Sequence, residues 1–134
     1  MTFVALKPII TRVADISLDE NNIIHVIVHA DVRVDYEDAI DVALVIKNLG
    51  KNKPTLKLID LRLNGVIEKK AQKLIDSKEI KQKTIARAVI LGSFLSSIAK
   101  NFFMKMNKPE TPTKIFTNYD EAYAWLLSIK KEEG

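Results

Sequence analysis

Apolar residues recur with a period that changes along the chain, and the changes mark out the elements. Residues 10–18 alternate, with Ala14, Ile16 and Leu18 on one side and Asp15 and Ser17 on the other, as a half-buried strand does. Asp19-Glu20-Asn21-Asn22 supplies turn chemistry before the β-branched run Ile23-Ile24-His25-Val26-Ile27-Val28-His29-Ala30, and together they predict an antiparallel hairpin. The period then becomes helical. Asp35 suits an N-cap, Glu37 and Asp38 fall in the first turn, and Ala39, Val42, Ala43, Ile46 and Leu49 form one stripe, so a helix is expected over residues 36–49, before Gly50.

Residues 55–61 and 85–91 are nearly continuous in apolar content, as strands covered on both faces are. Between them a helix is expected over residues 67–78, with Ala71, Leu74 and Ile75 inward and Lys69, Lys70 and Lys73 outward. A third helix is predicted over residues 93–106, stopping before Pro109, and a short strand over 115–117. The last helix begins at Asn118, with Glu121 three residues later as a capping box and Ala122, Trp125, Leu126 and Ile129 facing the core. Residues 1–8 read as a loose or edge segment. Strands alternating with helices after a leading hairpin predict an α/β domain: a mixed, mostly parallel sheet of about five strands with about four helices.

Composition agrees with a single globular unit. The chain has 134 residues, 47% hydrophobic and 28% charged, with four glycines, four prolines and no cysteine. A domain near this size buries roughly two thirds of its unfolded surface and needs no covalent staple. No basic leader precedes the first apolar residues, and the richest apolar window stops at Lys100, short of the roughly 20 residues a membrane span requires. A cytoplasmic protein is expected.

The net charge of +4 raises the question of a polyanion partner, and its distribution argues against one. Arg12, Arg33, Arg62 and Arg87 are scattered singly, and the excess is carried by lysines interspersed with Glu68, Asp76 and Glu79. Nucleic-acid readers cluster arginine with aromatic platforms. No nucleic-acid partner is expected, and the lysine-rich stretch 69–83 reads as a solvated helix face.

Catalytic and metal chemistry find little support. Without cysteine there is no thiol nucleophile. His25 and His29 on one strand would stand about 13 Å apart at ~3.3 Å per residue, too far for one metal, and read as partly exposed strand residues. Gly50, Gly65, Gly92 and Gly134 are isolated, so no phosphate-cradling loop exists. Asp31, Asp35, Glu37, Asp38 and Asp41 lack the spacing of a calcium loop and read as capping and solvation of the first helix. No catalytic residue, metal ligand or cofactor is assigned, and an enzyme is not expected.

Two features remain as candidate ligand sites. Asp60 lies near the carboxyl end of a buried strand, where open α/β sheets bind ligands, although pairing with Arg62 or a backbone cap also accounts for it. Gly92 permits close approach, and the helix start beyond it, with Ser93, Ser96 and Ser97, offers donors to a phosphate or carboxylate; Ser93 as an ordinary N-cap explains the same residues. On the third helix Phe94, Ile98, Phe102, Phe103 and Met106, with Leu95 and Ala99, cover about half the circumference, wider than one surface stripe requires. That surplus points to core packing with a dimer contact, or to an apolar pocket or lipid contact with Lys100, Lys105 and Lys108 near the headgroups.

Leu58-Ile59-Asp60-Leu61-Arg62, Ala88-Val89-Ile90-Leu91-Gly92-Ser93, Asn101-Phe102-Phe103, Asn107-Lys108-Pro109, Ile115-Phe116-Thr117 and Glu121-Ala122-Tyr123-Ala124-Trp125-Leu126 give the chain a resemblance. They are similar to the small bacterial SpoIIAA-like proteins of the STAS/SEC14 type, over residues 10–129. The resemblance implies the STAS-type fold and a stand-alone protein of unassigned role. Anti-sigma-factor antagonists of that superfamily carry a phosphorylatable serine where the central strand meets its helix. Here no Ser or Thr occurs between Asp60 and Ser77, so no phosphoserine switch is expected there, although Glu68 could place a fixed negative charge near that helix start. Two functional classes follow. One is a non-enzymatic interaction module, homodimeric and with an unknown protein partner; the other is a binder or carrier of a lipophilic or anionic small molecule, with peripheral membrane association through residues 93–106.

Overall fold

The apolar runs pair into one twisted sheet with a helical layer on each face. The computed structural model describes residues 7–92 and 111–133. Six strands lie in the order β1 (Ile9–Ile10), β2 (Ala14–Leu18), β3 (Ile23–Val28), β5 (Thr55–Asp60), β7 (Thr84–Ile90) and β8 (Thr113–Phe116). β1, β2 and β3 are antiparallel, with Ile16 opposite Val26, whereas β3, β5, β7 and β8 are parallel. Two short strands, β4 (Arg33–Val34) and β6 (Val66–Ile67), form a separate parallel ladder. The mixed, mostly parallel sheet with its leading hairpin is thus as expected.

Helices α1 (Tyr36–Leu49), α2 (Lys69–Ile75), α3 (Lys78–Gln82) and α4 (Tyr119–Glu133) complete the described elements. The steps from β3 to β5 and from β5 to β7 move one place in the same direction, so right-handed crossovers carry their connections, with α1 and with α2 and α3, over one face. α1 packs there on β2 and α2, enclosing a core of Val13, Ile16, Ile24, Val26, Val28 and Val89. α4 crosses β5, β7 and β8 on the other face and buries Ala122, Tyr123 and Leu126 against Leu56, Leu58, Ala88 and Ile90.

Local chemistry sets the boundaries. Asp35 Oδ1 accepts from Asp38 N–H at 2.8 Å and Asp38 Oδ2 accepts from Asp35 N–H at 3.0 Å, a reciprocal capping box. Arg12, from the β1–β2 connection, donates to both Asp38 oxygens and to Arg33 C=O, tying the helix start to the sheet edge. Its guanidinium holds the Asp38 carboxyl down to about 2, against the opposing effect of burial. Gly65 stands where an added Cβ would meet Val28 Cγ1 at 2.5 Å, so a side chain there must displace the core of β3.

Two elements differ from expectation. The strand expected over residues 10–18 is broken because Thr11 Oγ1 accepts from Val13 and Ala14 N–H and donates to Ala14 C=O, turning the chain between β1 and β2. The helix expected over residues 67–78 begins at Lys69, ends at Ile75, and is followed by α3, whose N-cap Ser77 accepts from Ile80 N–H. Asn118 caps α4 through Glu121 N–H at 3.0 Å. The helix expected over residues 93–106 lies outside the described residues.

A buried dication beside an apolar cavity

Successive residues of a strand point to opposite faces, and on β5 and β7 this alternation puts two cations under α1 and α3. Thr55, Lys57 and Ile59 face the α1 side while Leu56, Leu58 and Asp60 face α4; on β7 Arg87 and Val89 face the α1 side. Lys57 and Arg87 are cross-strand partners in register, 5% and 1% exposed. Isolated buried charge is costly, and two like charges side by side cost more.

Beside them lies a cavity of about 280 Å³. Its walls are aliphatic, from Val26 and Val28 on β3, Ile59 on β5, Val42 and Ile46 on α1 and Ile75 at the end of α2. Its polar lining is one-sided: Lys47, Lys53, Lys57, Lys83 and Arg87 against the single carboxylate of Glu79. The exposed members Lys47, Asn52, Lys53 and Glu79 belong to the end of α1, the loop after it and α3. This is the amino-terminal end of β5 and β7, opposite the end where open α/β sheets most often bind ligands.

Neither inner cation is fully answered among the described residues. Lys57 Nζ donates to Thr84 Oγ1 at 2.5 Å, and Thr84 Oγ1 donates in turn to Ile80 C=O. Burial, reinforced by the charge of Arg87, brings the Lys57 ammonium down to about 8. Arg87 Nε donates to Thr113 Oγ1 at 3.1 Å, and Nη2 lies 3.6 Å from Asp76 Oδ1, an ion pair too long for a hydrogen bond. Its Nη1 and Nη2 have no hydrogen-bond partner among the described residues. Burial pushes Arg87 below the usual arginine range and Asp76 opposes this, but a guanidinium stays charged at neutral pH. The arrangement is chemically suited to an anion carrying an apolar tail.

On the opposite face a closed polar network joins the hairpin to α4. Asp19 Oδ2 accepts from Tyr123 OH at 2.7 Å and from His25 Nε2 at 2.8 Å, while Oδ1 accepts from the Asn21 and Ile23 N–H groups. Tyr119 OH lies 3.0 Å from His25 Nδ1, so a neutral ring protonated on Nε2 satisfies both neighbours. Burial pushes Asp19 up, but His25, Tyr123 and the two N–H groups together bring it below the usual carboxylate range. Burial pushes both phenols up, Tyr123 to about 12, so both remain donors. His25 is 3% exposed, which corrects the expectation of a partly exposed strand histidine; His29, paired with Asp15 at 2.8 Å, is partly exposed as expected but stands one residue past the end of β3.

Asp60 is on the α4 side of β5, outside the cavity, where Arg62 engages it through its backbone N–H at 3.0 Å and its guanidinium at 2.7 Å. Gly92 follows β7 nearby, and a Cβ there would lie 3.7 Å from Arg62 C=O. Asp60 and Gly92 therefore come together at the carboxyl ends of the strands, and neither lines the cavity. Ser93, Phe94, Ser96, Ser97, Ile98, Phe102, Phe103 and Met106 lie outside the described residues. Lys57 and Arg87 escaped the sequence reading, although a cation interrupting each of two otherwise apolar strands was the available signal. Glu68, at the N-cap of α2, makes no capping bond and lies 3.7 Å from Arg33. No described helix is long and apolar enough to cross a membrane, and no three described His, Asp or Glu residues are grouped to hold a metal.

Comparison with known proteins places this architecture. A crystal structure of an uncharacterized protein from the DUF3478 family, from Shewanella loihica PV-4, described as having a SpoIIAA-like fold, superposes with a TM-score of 0.55. It is 15% identical, over 93% of this chain and 92% of that one, a likeness of fold. The fold of this chain is SpoIIAA-like, as its residues led us to expect. No curated protein matches the sequence. The model of a family described as a domain of unknown function, DUF7793, matches residues 16–130, and the chain belongs to that family.

Proposed function

We propose that this protein is a non-catalytic binding protein for a small amphipathic carboxylate, held with its charged head on Arg87 and Lys57 and its tail among the aliphatic residues under α1. The observation that supports this most is the pair of buried cations on adjacent strands beside an apolar cavity, with Asp76 the one carboxylate paired to Arg87 among the described residues. A fold has no use for two adjacent buried cations unless something compensates them, and a carboxylate does so with charge-assisted hydrogen bonds. At ~30 Å³ for a water-sized group, the cavity takes a chain of about eight to ten carbons. Nonanoate at a hundred times its Kd should raise stability by about 2.7 kcal/mol, read as a thermal shift, while nonanol and free acetate do much less. Equal shifts with nonanol and nonanoate would remove the cations from the account.

Self-association is the second reading, favoured by one observation. α4 covers β5, β7 and β8, whereas on the same face of β1 and β3 Ile10 and Ile27 are 70% and 41% exposed. A second copy seated there would bury them. Light scattering should then give a dimer mass that Ile27→Asp reduces to a monomer; a monomer at every concentration in the unaltered chain overturns this reading.

A further inference from the structure

The feature that simple anion binding leaves unused is the nucleophilicity of the Lys57 amine. Arg87 gives the anion site a permanent charge, and Lys57 adds a second cation that can also lose its proton. Lys57 is a second group in the same cavity, held by Thr84 and by no carboxylate among the described residues, with aliphatic walls around it. A lysine in an apolar pocket beside another cation is the arrangement that makes an amine nucleophilic.

We propose that Lys57 captures the carbonyl of an oxo acid as a reversible imine, with Arg87 holding the acid's carboxylate. The proposal rests on the binding reading above and names the ligand class more narrowly. The neutral amine adds to the carbonyl carbon, forming a C–N bond while the π pair moves to oxygen. That oxygen takes one proton from nitrogen, and water leaves with the second, giving C=N and H₂O. No oxidant or reductant is consumed, and hydrolysis reverses the step. Thr84 Oγ1 fixes Nζ, because it is itself anchored on Ile80 C=O.

The protonation state is compatible with this chemistry. Charged groups lining the cavity are Arg87 on β7, Glu79 on α3, Lys83 just after it, Lys47 on α1 and Lys53 in the following loop, a mainly cationic surrounding that favours the neutral amine. With its ammonium at about 8, roughly a quarter of Lys57 is neutral at about pH 7.5, against ~0.1% for an ordinary lysine. Lys57 and Arg87 stand side by side on adjacent strands, so one short acid can present its carbonyl to the first and its carboxylate to the second. A 4-oxo acid has its two groups close together in this way.

The test is reductive trapping on the full chain. Protein is incubated at pH 7.5 with 4-oxononanoate and sodium cyanoborohydride, and the adduct is located by peptide mass spectrometry. One adduct on Lys57 is expected, forming at least ten times faster than on any other lysine, suppressed by excess nonanoate and absent from Lys57→Met. Labelling spread over exposed lysines, or equal in Lys57→Met, overturns the proposal. If nonanoate binds yet Lys57 is not trapped, covalent capture alone fails; if neither acid binds, the reading beneath it fails as well.

Discussion

Lys57→Met is expected to make the unliganded protein more stable and unable to bind its ligand. Methionine matches the length and apolarity of the lysine stem, so the cavity wall is kept while the buried charge is removed. The sign follows from linkage. The folded ammonium titrates at about 8 and the unfolded one near 10.5, so between those values the unfolded chain holds more protons. Stability of the unaltered protein should therefore rise with pH from about 8 toward 10, and the penalty is fully present below about 8. At ~1.4 kcal/mol per pK unit the gain on substitution is at most about 3 kcal/mol at neutral pH. Urea unfolding at pH 7 and pH 9.5 measures it: the variant should be the more stable at pH 7, and the difference should shrink at pH 9.5. A variant less stable than the parent at pH 7 would mean that Lys57 is a structural cation and not a binding group.

Asp19→Ala should be the most damaging change on the opposite face. It removes the acceptor for Tyr123 OH, His25 Nε2 and two backbone N–H groups, all within 3.1 Å of an Asp19 oxygen. Leaving a buried donor unpaired costs ~1–3 kcal/mol, and partial repair by water leaves a total of about 3–4 kcal/mol. A midpoint shift of that size in urea is expected, with fluorescence of Trp125 reporting on α4, since Trp125 packs near Phe116. Because the folded Asp19 carboxyl titrates below its unfolded value, its contribution is fully present above about pH 4 and fades as pH falls through the lowered folded value. Asp19→Asn should therefore flatten the acid limb of the stability curve while losing less at pH 7 than Asp19→Ala. Unchanged acid limbs in both variants would show that the network does not carry the hairpin–α4 junction.

Legibility followed the range of the interaction. α1 was readable to its ends because its cap, first-turn acids and apolar stripe are all local, and β5 and β7 because a continuous apolar run between turn residues has few other uses. The β4–β6 ladder was not readable, since two-residue strands carry no periodicity and pair only because the fold brings residues 33–34 and 66–67 together. His25 was misjudged for the same reason: Tyr119 and Tyr123, which cover it, are 94 and 98 positions away. The cation pair needed register, because Lys57 and Arg87 become neighbours only once β5 and β7 align. Asp60 was legible as a carboxylate beside Arg62, and the structure gives it that partner in preference to the cavity. The break between α2 and α3 was written in Ser77, an N-cap residue outweighed by the lysine-rich amphipathic pattern around it.

The central claim is that the two buried cations exist to meet a carboxylate. Isothermal titration of nonanoate into the full chain at pH 8.5, repeated in buffers of different ionisation enthalpy, tests it most directly. A bound carboxylate raises the Lys57 ammonium back toward its ordinary value, so binding should be accompanied by net proton uptake, at one site per chain, and both should vanish in Lys57→Met. Binding without proton uptake, or with equal affinity in Lys57→Met, would contradict the account.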